Sequence, residues 1–136
     1  WTEKLAGMGV KILSLSDTVG SSTPDVISYL FENLIPKYPV IEFGAHLHTT
    51  PDKWFEKVDA AYKAGCRRFD GALKGIGGCP MAGDKLVGNM DTEFIIQFLE
   101  AQGIELAGGG PEVFKPFVEK QMTTWSAFIK ANNITE

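Results

Sequence analysis

Three times in succession the chain runs from a short apolar stretch through a turn into an amphipathic segment, and no other feature of the sequence limits the fold as much. Val10 to Asp17 reads as a buried parallel strand whose carboxyl end carries Asp17. A loop of Thr18, Gly20, Ser21 and Ser22 follows, and Thr23-Pro24 then opens a helix to about Leu34, with Val26, Ile27, Leu30, Phe31 and Leu34 at helical spacing. Pro36 and Pro39 punctuate, and Val40 to His48 forms the second strand. Pro51 opens a helix whose stripe is Trp54, Phe55, Val58, Ala61 and Tyr62, closed at Gly65. Arg68 to Leu73 is the third strand, with Asp70 in its middle. A glycine-rich loop leads to the helix start Asp91-Thr92-Glu93, whose helix carries Phe94, Ile95, Phe98 and Leu99 to near Gly103. Gly108-Gly109-Gly110-Pro111 breaks the chain before a last helix over Pro116 to Ala131.

Repeating βα units imply a parallel sheet with right-handed crossovers and ligand sites at the carboxyl ends of its strands. Asp17, His46, His48 and the loop bearing Cys79 all fall at such ends. Three units cannot close an eight-stranded barrel. The expected architecture is therefore α/β, with parallel βα units forming the later part of a TIM (β/α)8 barrel followed by C-terminal helices. Residues 1–136 are expected to be a single partial domain. Trp1 to Met8 reads as the end of a helix, and with no initiator methionine the sequence is expected to begin partway through a larger protein.

Two motifs carry chemistry. His46 and His48, the only histidines, alternate along one strand face with Cα atoms roughly 6–7 Å apart, close enough for both imidazoles to reach one metal ion. A lone histidine on an apolar strand is usually a satisfied core residue, and a pair at a strand end reverses that expectation. The second motif, Phe69 to Thr92, contains Gly75, Gly77, Gly78, Gly83 and Gly88 around Cys79-Pro80. A loop of that length in a compact domain is usually functional.

The net charge of −4 and scattered Lys and Arg residues argue against a nucleic-acid partner. No apolar run approaches membrane-spanning length and the start lacks the order of a signal peptide, so a cytosolic protein is expected. Cys66 and Cys79 could pair by number alone, but reduced thiols are expected, with Cys66 buried behind Gly65.

Ser16-Asp17-Thr18-Val19-Gly20 with Thr23-Pro24, His46-Leu47-His48-Thr49, Gly77-Gly78-Cys79-Pro80 and Gly88-Asn89-Met90-Asp91-Thr92-Glu93 resemble, in order and spacing, the hydroxymethylglutaryl-CoA lyases among the TIM-barrel carbon–carbon lyases. The resemblance runs from about Val10 to Gly103 and rests on separated motifs agreeing in order. It implies Mg2+ or Mn2+ held by His46, His48 and Asn89, with a further aspartate from a first strand absent from the chain. It implies catalytic roles for Cys79, His46 and Asp17 and substrate contacts at Thr18, Gly77 and Gly78. The implied substrate is an acyl-CoA thioester, cleaved to acetyl-CoA and acetoacetate, and the chain alone is expected to be inactive and self-associated. Where such lyases read His-x-His-Asp this chain has Thr49, and where they read Asp-Ser-Ser it has Asp70-Gly71-Ala72, departures that point to a change of substrate. Two other readings are a related aldolase or acyltransferase on another hydroxy acid or acyl thioester, and a non-catalytic partial-barrel fragment.

Overall fold

A computed structural model of the chain describes residues 1–78, 87–105 and 111–132, and the side chains of all of these except 111, 113, 114 and 117. The elements in order are α1 (Thr2–Gly7), β1 (Ile12–Asp17), α2 (Pro24–Lys37), β2 (Glu42–Leu47), α3 (Trp54–Lys63), β3 (Arg68–Asp70), a 3-10 turn at Leu73–Gly75, α4 (Thr92–Ala101) and α5 (Pro111–Ala131). They divide into two compact units, Trp1–Ile104 and Glu105–Glu136. The second contains α5, along which Met122, Trp125 and Ile129 are exposed.

The first unit holds a parallel sheet in the order β1-β2-β3, with Ser16 opposite His46 and His46 opposite Asp70. Alternation sends Leu13, Leu15, Phe43, Ala45, Leu47 and Phe69 to one face. There they pack with Ile27 and Phe31 of α2 and with Val58 and Ala61 of α3. Both crossover helices therefore cover the same face. An open doubly wound sheet would place helices on both, whereas a barrel places them only outside. The other face carries Ser14, Ser16, His46, Arg68 and Asp70 around Gly44. A Cβ at Gly44 would stand 2.9 Å from Ser14 Oγ, and without it the Ser14 hydroxyl reaches across β2 to donate to Asp70 Oδ2 at 2.8 Å.

Several boundaries differ from the sequence expectation. Thr23 caps α2 by accepting from the Val26 N–H, as the Thr-Pro pair implies. The helix then runs through Pro36 to Lys37, because a proline in the last turn forfeits only one backbone bond and the Tyr38 N–H still reaches the Leu34 carbonyl. β3 stops at Asp70 and does not continue to Leu73. Beyond Asp70 the Ala72 N–H turns to the Met90 carbonyl at 3.0 Å, leaving the sheet. α5 begins at Pro111, where the missing N–H costs nothing, and carries Pro116 inside it.

Candidate active site

The carboxyl end of β2 meets the returning glycine-rich segment. Met90 N–H donates to the Leu47 carbonyl at 3.0 Å and Thr49 N–H to the Gly88 carbonyl at 3.1 Å. This short antiparallel ladder sets Asn89 opposite His48. The His46 and His48 rings lie edge to face with centroids 5.3 Å apart. His48 is buried and its Nδ1 lies 2.9 Å from the Asp17 backbone carbonyl. A carbonyl only accepts, so Nδ1 carries the proton and Nε2 is the ring atom available for ligation. Asn89 Nδ2 donates to the Ile76 carbonyl at 2.9 Å, so Oδ1 is the amide atom with a lone pair for ligation. Two imidazole nitrogens and an amide oxygen are a donor set suited to a divalent cation. Among the described residues no group of three or more His, Cys, Asp or Glu is placed to hold a metal.

Asp17 ends β1 with its side chain turned into the molecule. Its carboxylate accepts from Lys57 Nζ at 2.8 Å and from the Ser22 hydroxyl and N–H. Burial raises the Asp17 carboxyl pKa, but the hydrogen bonds from Lys57 and Ser22, with the Lys57 charge, outweigh it and hold the group below the usual carboxylate range. Lys57, only 3% exposed, also donates to the Gly20 and His48 carbonyls, both at 2.9 Å. Sequence reading missed this lysine. The available signal was its position on α3, three and four residues before the buried Ala60 and Ala61, where a charge requires a buried counter-charge. Phe55, read as part of the apolar stripe, is instead 56% exposed.

Asp70, read as a mid-strand residue, stands at the carboxyl end of β3 with its Oδ2 3.8 Å from His46 Nδ1. Thr18 lies exposed in the turn after Asp17. Gly77 has φ +93, and a Cβ there would come within 2.9 Å of Asn89 Nδ2, so glycine lets the loop backbone pass close to the asparagine. Gly78 bridges Gly88. Cys79 lies outside the described residues. Cys66 is fully buried and free, its thiol donating to the Arg68 carbonyl at 3.1 Å. Among the described residues no helix is long and apolar enough to cross a membrane.

The sequence model of the family described as HMGL-like matches residues 1–120. The chain is 32% identical over 102 residues to the (R)-citramalyl-CoA lyase of Chloroflexus aurantiacus, covering 75% of this chain and 32% of that protein. It is 34% identical over 104 residues to a hydroxymethylglutaryl-CoA lyase of Bacillus subtilis, covering 76% of this chain and 34% of that one. The chain thus spans about a third of the length of the curated relatives it matches. An HMG-CoA lyase structure from Acinetobacter baumannii, in complex with coenzyme A and 3-methylmalate, superposes with a TM-score of 0.64 at 33% identity, over 76% of this chain and 33% of that chain. Parallel strands with helices on one face are accordingly part of an α/β barrel.

Proposed function

Because the chain belongs to the HMGL-like family, we propose that it is a single partial domain, the carboxyl-terminal part of a divalent-metal-dependent lyase cleaving 3-hydroxy-3-methylglutaryl-CoA to acetyl-CoA and acetoacetate. The observation that carries this reading is the short ladder that sets Asn89 opposite His48, with the His46 ring beside it.

In this reading His46, His48 and Asn89 hold Mg2+ or Mn2+. When bound, the cation would lower the pKa of a substrate hydroxyl and stabilise the negative charge that develops there. The chain's own residues prepare the site before substrate arrives. The Asp17 carbonyl fixes the His48 tautomer, and the Ile76 carbonyl holds the nitrogen end of the Asn89 amide. Asp17 ends β1 beside the ligand histidines, while Thr18, Gly77 and Gly78 line the approach of an acyl-CoA thioester. Cys79 takes part in proton transfer. The protein is cytosolic, and this chain by itself self-associates and is inactive.

The test has two parts. Mn2+ titration, followed by loss of the free-ion EPR signal, is expected to show binding that disappears in His46→Ala and in Asn89→Ala. A chimera carrying the first barrel strands of the Bacillus subtilis relative ahead of this chain is expected to release acetoacetate from 3-hydroxy-3-methylglutaryl-CoA, and to lose most turnover but keep Mn2+ affinity in Cys79→Ala. A folded, Mn2+-binding chimera that cleaves no thioester overturns the reading. A second reading, cleavage of citramalyl-CoA, is favoured by the 32% identity to the Chloroflexus enzyme, and the same chimera offered both thioesters separates the two.

A further inference from the structure

We propose that Lys57 is a positioning residue of this site, whose ammonium locks the orientation of the His48 ring through a closed circuit of hydrogen bonds. The circuit has three members. Lys57 Nζ donates to the His48 carbonyl at 2.9 Å, His48 Nδ1 donates to the Asp17 carbonyl at 2.9 Å, and the Asp17 carboxylate accepts from Lys57 Nζ at 2.8 Å. The third ammonium hydrogen goes to the Gly20 carbonyl at 2.9 Å, so all three donors are used. The partners come from separate segments: the end of β1, the loop after it, and the residue just past β2. One cation supplied by α3 therefore fastens together the backbone on which the histidine depends.

A purely structural ion pair does not need this arrangement. Buried charge pairs can often be replaced by apolar residues with no loss of stability, so the pair alone would not specify a lysine. An apolar residue at 57 cannot supply the bond to the His48 carbonyl. With that bond gone, the His48 carbonyl loses its ammonium partner and the backbone at 48 is held only by the flanking bonds of Leu47 to Met90 and Thr49 to Gly88, and losing the support behind a ligand histidine typically costs 10- to 100-fold in metal affinity.

The proposal rests on the reading of His48 as a ligand, and its test is made on the metal-free full chain as well as with Mn2+. The variants are Lys57→Met, the charge-neutral pair Asp17→Asn with Lys57→Met, and Val58→Ala, a buried neighbour outside the circuit. Imidazole 15N shifts at fixed pH report the His48 tautomer, and EPR titration reports Mn2+ affinity. The parent and Val58→Ala are expected to show a single Nδ1-protonated His48. The double variant, folded, is expected to show mixed tautomers and at least about tenfold weaker Mn2+ binding. A folded double variant with the parent's tautomer and affinity overturns the proposal. A double variant that does not fold also overturns it, since Lys57 would then serve the fold itself. Mixed tautomers in the double variant alongside a parent that binds no Mn2+ support the positioning role while removing the metal reading.

Discussion

At the residue scale, two of the buried titratable centres, the Asp17–Lys57 pair and Cys66, behave oppositely. The Asp17–Lys57 pair is satisfied at every donor. Asp17→Asn alone leaves the ammonium buried without its counter-charge, and urea unfolding at neutral pH is expected to show a loss of about 3–5 kcal/mol, most of it recovered by adding Lys57→Met. Cys66 is a neutral core group whose thiol burial pushes up to about 11 from an ordinary 9.0. The unfolded chain gives up this proton first, so the stability it confers is complete below pH 9.0 and falls as pH rises toward about 11. The stability gap between the parent and Cys66→Ala is expected to narrow over that interval by about 3 kcal/mol, measured by urea unfolding across the pH range. The histidine pair, Asp17 and the burial of Cys66 were legible because each follows from strand alternation or from a helix end. Lys57 was not, because a search for apolar periodicity passes over a charged residue even where it lies on the buried stripe.

At the element scale, β3 is where sequence reading placed a boundary too far along, and Gly71 explains it. A Cβ at 71 would lie 2.8 Å from Ile95 Cδ1, 2.9 Å from Thr92 Oγ1 and 3.0 Å from the Met90 carbonyl oxygen. The strand has to stop so that α4 and the Met90 backbone can pack on this glycine, a tertiary demand with no local sequence signature. The absent serine in Asp70-Gly71-Ala72 thus has a packing cause before any substrate is considered. Gly71→Ser is expected to cost about 1–3 kcal/mol by chemical denaturation, since the carbonyl of Met90 is backbone and yields little. Helix starts that carry a capping residue were legible, whereas α2 runs past Leu34 to Lys37, α3 starts at Trp54 and not Pro51, and α5 starts at Pro111 and not Pro116. Thr23 and Asp91 cap α2 and α4 as their residue types imply.

At the scale of the whole molecule, the first unit has a sheet with one helix-covered face and one polar face, and among the described residues β1 and β3 are each paired along only one edge. Beside β1, Leu15, Val26, Leu30 and Phe31 line a hollow of about 370 Å³. Unpaired edges and exposed apolar rims favour association. Light scattering at micromolar concentration is expected to give a mass above that of one 14.9 kDa chain. The order of parallel βα units was legible from the alternation of apolar and amphipathic segments. That both helices share one face follows from the expected right-handed crossovers once the strands stand in sequence order, as in a barrel. Pairing on both sides also sets the order in which the sheet comes apart. β2 alone has neighbours along both edges, so its amides are expected to take up deuterium last, with those of β1 and β3 leading. His46 belongs to this strand and His48 follows directly on it, so the backbone spacing of the two histidines outlasts excursions that free both outer strands, while the His48 ring gives up its bond to the Asp17 carbonyl as soon as β1 leaves.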